Sequence, residues 1–144
     1  MNPILKILLY ILLYSLILSI GFFIGGKINM GIIQISGSII HLPEGVDPTN
    51  MESLKATMHL YSPIHFLFPF LAHALGTLAG AYIAAKLAPS IKMIMALTIG
   101  ILFLLGGISM VTMLPAPIWF SCIDLIFAYL PMAWFGGVLA MKGS

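Results

Sequence analysis

The sequence predicts an all-α membrane protein, a four-transmembrane-helix bundle with a short extracytoplasmic cap helix, and three observations predict it. Of the 144 residues, 61% are hydrophobic and only 7% are charged, against roughly 45–50% and about 25% in soluble domains. Four stretches reach the length of about 20 apolar residues that a helix needs to cross hydrocarbon. Their Leu-Ile-Phe runs are continuous, without the alternation of barrel strands, so the backbone must be satisfied within helices. Residues 1–144 read as a single transmembrane domain with no convincing internal repeat, and an inverted-repeat transporter architecture gains no support.

The first helix is expected over residues 4–26. Its apolar run from Ile7 to Ile24 is longer than the core of a signal peptide, about 7–15 residues. No small-x-small cleavage site follows, so it reads as a retained transmembrane helix. Residues 27–63 form the long extracytoplasmic connection. Its apolar part from Ile28 to Ile40 is broken by Asn29, Gly31, Gln34, Ser36, Gly37 and Ser38, and either prolongs the first helix or lies in the interface. A turn-rich loop follows from His41 to Pro48. Thr49-x-x-Glu52 has the form of a capping box and opens a short helix over about residues 50–60. The Met51, Leu54, Met58 stripe of that helix suits the bundle end or the lipid headgroups.

The remaining helices are expected over residues 64–87, 91–114 and 117–140. Their links, around Ala88-Pro89-Ser90 and Leu114-Pro115-Ala116-Pro117, are short enough to force antiparallel neighbours. Pro69 and Pro131 lie within helices two and four, where each removes a backbone donor and bends the helix. Trp119, Tyr61, Tyr129 and Trp134 read as interface aromatics.

Lysine placement orients the bundle. With the N-terminus inside, the inner flanks hold Lys6, Lys86, Lys92 and Lys142, and the outer flanks hold Lys27, Lys55, Glu44, Asp47 and Glu52. The positive-inside rule then places both termini in the cytoplasm of a cell with a bacterial-type inner (plasma) membrane. The net charge of +2 and the lack of a basic stripe argue against nucleic acid as a partner. Cys122, the only cysteine, reads as a small apolar helix residue.

Packing explains many of the small residues. Gly21-x-x-x-Gly25 and Gly76-x-x-x-Gly80 allow close approach of helix backbones, within the chain or in a homo-oligomer. Gly106-Gly107 and Gly136-Gly137 invite the same reading.

His73 and Asp124 are ionisable residues inside expected spans, where such groups are costly, paired and facing the bundle interior. Counted from Ile64 and Pro117, they lie roughly 13 Å and 10 Å deep, so they can meet. Their helix faces suggest an intramembrane polar pocket lined by His73, Thr77, Ser109, Ser121 and Asp124. Such a pair fixes helix register, relays protons, or, with a serine as nucleophile, catalyses; no catalytic residue is assigned. The outer His41, Met51, Met58, His59 and His65 are of types that suit copper, with Met58, His59 and His65 the nearest to a cluster. They follow no recognised ligand spacing, and no metal or cofactor is expected.

Four segments carry a family likeness: Met51-Glu-Ser-Leu-Lys-Ala; Phe68-Pro-Phe-Leu-Ala-His73-Ala-Leu-Gly-Thr77-Leu-Ala-Gly80-Ala; Leu104-Leu-Gly-Gly-Ile; and Met113-Leu-Pro-Ala-Pro-Ile-Trp119-Phe. In these the chain resembles a family of small bacterial four-helix integral membrane proteins. The resemblance covers most of residues 25–140. It implies a shared four-helix architecture and supplies no substrate, cofactor or catalytic residue. The expected function is a structural or accessory membrane protein whose partners are membrane lipid and a second copy or other membrane subunits. The alternatives are a proton-coupled or small-solute transporter centred on His73 and Asp124, and, third, a membrane-embedded enzyme with an outward-facing pocket.

Overall fold

The computed structural model describes residues 2–142, and every regular element among them is helical. Helix α1 spans Pro3–Ile39, α2 Met51–Thr57, α3 Leu67–Leu87, α4 Lys92–Met113, α5 Ile118–Phe127 and α6 Leu130–Lys142. Short 3-10 turns at Met58–Leu60 and Pro63–Phe66 lead into α3. Four segments are long and apolar enough to cross a membrane: Pro3–Ile39, Pro63–Leu87, Lys92–Met113 and Ile118–Lys142.

Local chemistry sets the ends of these elements. Asn2 caps α1, its side-chain oxygen accepting from the Ile4 amide at 2.9 Å, with Pro3 in the first turn where no amide proton is needed. Of the two alternatives for the apolar part of the connection, the structure takes the first: the helix runs on past Gly26 to Ile39. No proline interrupts residues 27–39, and a polar residue such as Ser36 is absorbed by donating to the Ile33 carbonyl of its own helix at 2.6 Å. In α2 the cap is Asn50, which accepts from the amides of Glu52 and Ser53. The Thr49–Glu52 box expected there does not form. Thr49 instead donates its amide and hydroxyl to Asp47 at 2.9 and 2.7 Å. Pro69 falls in the first turn of α3 and leaves that helix unbroken, whereas Pro131 divides the last span into α5 and α6.

Helix α3 is the hub, packed against α1 on one side and against α4 and α6 on the other. Its buried residues are all small: Ala72, Ala74, Gly76, Thr77, Gly80, Ala81, Ala84 and Ala85. The two GxxxG motifs meet each other. A Cβ on Gly21 would lie 2.7 Å from the Gly80 carbonyl oxygen, and one on Gly25 would lie 2.5 Å from that of Gly76. Backbone touches backbone here, as glycine pairs allow. On the far side of the hub, a Cβ on Gly136 of α6 would lie 2.6 Å from the Leu78 carbonyl oxygen.

These contacts also set the level of α1. Gly21 stands beside Gly80 and Gly25 beside Gly76. Lower down, the Tyr14 hydroxyl meets the Ser90 hydroxyl at 2.6 Å, in the link between α3 and α4. Residues 3–13 therefore project beyond that link by roughly 16 Å. Ile4, Ile7, Leu8, Ile11 and Leu12 are all more than half exposed.

Two predictions follow from this packing and from the Asp47 turn. Gly76→Ala places a methyl 2.8 Å from the Gly25 carbonyl oxygen and is expected to cost about 1–3 kcal/mol. Gly26→Ala meets open space and is expected to gain about 0.5–1 kcal/mol; thermal unfolding in detergent compares the two, and equal effects would contradict the glycine contact. At Asp47, the Thr49 hydroxyl and then its amide hold the carboxyl below its ordinary range. The turn is therefore fully stabilised above the usual aspartate range and loses this support as pH falls through the lowered value. The Thr49 amide resonance, followed in an acid titration, should shift only at that lower pH.

Candidate functional site

Three side chains, from α3, α5 and the turn between α5 and α6, form one hydrogen-bonded unit in the interior. His73, on α3, directs Nδ1 to both carboxylate oxygens of Asp124 on α5, at 2.8 and 2.9 Å. The Tyr129 hydroxyl donates to Asp124 Oδ2 at 2.9 Å. The His73 and Tyr129 rings stack with centroids 5.6 Å apart and planes 28° from parallel. Asp124 is 2% exposed and Tyr129 1%, while the His73 side chain keeps 23% of its surface.

The break at Pro131 makes the Tyr129–Asp124 bond possible. Residues five apart on a continuous helix stand about 140° apart around its axis, so their side chains diverge. Proline offers no amide to the turn before it. Ala128 makes the closing bond of α5, to the Asp124 carbonyl at 2.9 Å, and the Tyr129 carbonyl then accepts from Ala133 at 2.8 Å. Between those bonds the chain turns, and Tyr129 swings back toward Asp124. Helix α4 makes room for the ring with Gly107, where a Cβ would land on the phenol of Tyr129.

Both Asp124 oxygens face His73 Nδ1, and Oδ2 also accepts from the Tyr129 hydroxyl, so the Nε2 atom of His73 takes no part in the unit.

The structure separates the expected pocket residues. His73 and Asp124 are bonded. Thr77, one turn further along α3, is fully buried, and its hydroxyl has no hydrogen-bond partner among the described residues. Ser121 is half-buried one turn before Asp124 and bonds to neither ionisable group. Ser109 does not belong: it is exposed, and its hydroxyl donates to the Leu105 carbonyl of its own helix at 2.9 Å. Tyr129, expected as an interface aromatic, is instead an interior residue, and with Gly107 it completes the unit. The signal that points to both is the proline two residues after Tyr129, which frees that residue from the helix spacing.

The weak metal candidates are also dispersed. Met58 is buried with Phe66 and Phe120, and His59 is exposed. His65 accepts the Ser62 amide at Nδ1, 3.0 Å away, so Nε2 donates to the His41 carbonyl at 3.2 Å. No group of three His, Cys, Asp or Glu side chains among the described residues could hold a metal ion.

Above the polar unit, toward the Pro63 and Pro117 end, aromatic rings close the bundle. Phe66 packs against Phe120 at 4.8 Å and edge-on to Trp119 at 5.7 Å. The Tyr61 hydroxyl is buried beside them without a hydrogen-bond partner among the described residues, and burial pushes its pKa up.

Comparisons with protein families, with curated proteins and with solved structures found no match to this chain. The functional reading therefore stands on the geometry.

Removal of the phenol hydroxyl in Tyr129→Phe is expected to cost about 1–3 kcal/mol, because Asp124 loses a donor to its buried charge. Gly107→Ala should cost a similar amount by displacing the ring. Thermal unfolding of the two variants measures both, and unchanged stability in both would contradict the hydrogen-bonded unit.

Proposed function

We propose that this chain is a small multi-pass membrane protein of structural or accessory role, seated in the inner membrane with both termini cytoplasmic. Lipid is its solvent, and its protein partners are other membrane subunits. The observation that carries the reading is that the ionisable groups at the centre of the bundle satisfy one another: His73, Asp124 and Tyr129 are joined by hydrogen bonds. A buried charge left unpaired is strongly destabilising, and a saturated one instead fixes which elements lie side by side. Here the unit ties α3 to α5 and to the turn that leads into α6. Charge sorting supports the orientation. Lys86, Lys92 and Lys142 flank one end of the bundle, with Lys6 beyond it, and Glu44, Asp47 and Glu52 belong to the segment before α3 at the other end.

One observation favours a second reading, a proton-coupled or small-solute transporter. The His73 ring remains partly exposed, and its Nε2 stands outside the hydrogen-bonded unit, the arrangement of an imidazole that passes protons. The enzyme reading weakens, because Ser109 lies outside the unit and bonds to its own helix.

Reconstituted vesicles separate the two readings. In the structural reading Asp124→Asn lowers thermal stability by about 1.5–3 kcal/mol. The double change His73→Phe with Asp124→Leu restores most of that loss, since apolar replacement of a buried pair is often near neutral, and wild-type vesicles carry no flux driven by a pH gradient. A wild-type flux that Asp124→Asn abolishes without loss of stability would replace the structural reading with transport.

A further inference from the structure

The level of α1 places a charge where a membrane protein can least accommodate it. Gly25 rests on the Gly76 carbonyl, and a Cβ on Gly76 would lie 2.9 Å from Asn29 Cβ. Lys27 lies between Gly25 and Asn29 in sequence and is therefore level with Gly76. Gly76 is near the middle of the Pro63–Leu87 segment, roughly 17–20 Å from either end. An extended lysine reaches about 6 Å from its Cα, so Lys27 comes to neither end of the bundle. Lys27 is exposed, and its ammonium sits 5.3 Å from the centre of the Phe23 ring on the same helix. Charged groups at such a depth are costly and are found paired.

No carboxylate among the described residues pairs with it. Asp124 is buried and held by His73 and Tyr129. Glu44, Asp47 and Glu52 lie in the segment between α1 and α3, beyond the Pro63 end. A second copy does not help, because a two-fold contact along this face sets Lys27 against Lys27. The surrounding surface is open to a different partner. Phe23, Ile28 and Met30, close to Lys27 in sequence, are exposed. Beside Lys27, Gly26 is a position where a Cβ would meet nothing, which leaves room for another helix backbone to approach. The Ser19 hydroxyl, two turns earlier on that flank, is already satisfied by the Ser15 carbonyl at 2.9 Å.

We infer that the flank of α1 around Gly26 and Lys27 is the docking face for a transmembrane helix of another membrane protein, one that carries an aspartate or glutamate near its midpoint. The inference rests on the membrane reading above. It gives the accessory role a partner of stated chemistry, with Lys27 and a partner carboxylate neutralising each other out of water.

The probe is a synthetic Leu/Ala transmembrane peptide with one central glutamate, alongside its glutamine twin. Each is mixed with the whole protein in phosphatidylcholine vesicles, and association is read by energy transfer to a dye on Cys122, the single and exposed cysteine. The glutamate peptide is expected to bind at least tenfold more tightly. Lys27→Met should erase the difference and Lys27→Arg retain it. Equal binding of both peptides, no effect of Lys27→Met, or Lys27-dependent pairing between copies of the protein overturns the proposal. A spin label at Lys27→Cys, with Cys122→Ala, is expected at mid-bilayer depth by its accessibility to oxygen and to a water-soluble nickel complex. A label at headgroup level overturns the premise that Lys27 is stranded and makes lipid phosphate its partner. A protein that stays in water without the vesicles defeats the membrane reading itself, a result distinct from failure of the peptide to bind.

Discussion

Backbone contact between α1 and α3, through Gly21 and Gly25 on one helix and Gly80 and Gly76 on the other, governs the rest of this structure. Two helices can come this close only where neither carries a side chain, and once they do, neither can slide without driving a Cβ into a carbonyl. The contact therefore sets spacing and level together. Because α3 is also the hub for α4 and α6, the level of the longest helix is referred to every other element through one pair of motifs.

The polar unit depends on the same economy of volume. A hub built of alanine, glycine and threonine lets α4 and α6 close around it, and Gly100 and Gly107 let the broken last span lie against α4. The break at Pro131 would be a defect in an isolated helix. Here it turns Tyr129 toward Asp124, and the carboxylate gains a second donor in the bundle interior. A conformational irregularity and a buried charge thus compensate for each other. That coupling explains how an aspartate at 2% exposure is accommodated in so apolar a chain.

What could be read from the residues alone divides along physical lines. Hydropathy locates helical runs because the length and continuity of an apolar segment are local properties, and residues 64–87 and 91–114 differ from the observed segments Pro63–Leu87 and Lys92–Met113 by only a residue or so at each end. His73 and Asp124 could be brought together on paper because depth along a helix is simple counting. The level of α1 could not, since only the later part of the most apolar run, residues 4–26, packs in the bundle, through Ile17, Gly21 and Gly25, while residues 4–13 stay exposed. Polar residues between Lys27 and Ile39 looked like an interruption, yet Ser36 is satisfied by its own helix. Ser109 has a hydroxyl at a suitable depth on a face that turns outward, and counting does not reveal which face a neighbour covers. Tyr129 needed the effect of Pro131 on helix phase. Asn50 displaced Thr49 as a cap because Asp47 captured the threonine first.

The level of α1 is the claim with the widest consequences, and thiol cross-linking from the far end of the bundle tests it. With Cys122→Ala as background, Ser90→Cys is paired either with Tyr14→Cys or with Lys6→Cys and treated with a short bis-maleimide in vesicles. Tyr14 and Ser90 share a hydrogen bond at 2.6 Å, whereas spans aligned by hydropathy alone would bring Lys6 level with Ser90. Cross-linking of the 14–90 pair without the 6–90 pair is the result this account predicts; cross-linking of 6–90 instead would contradict it.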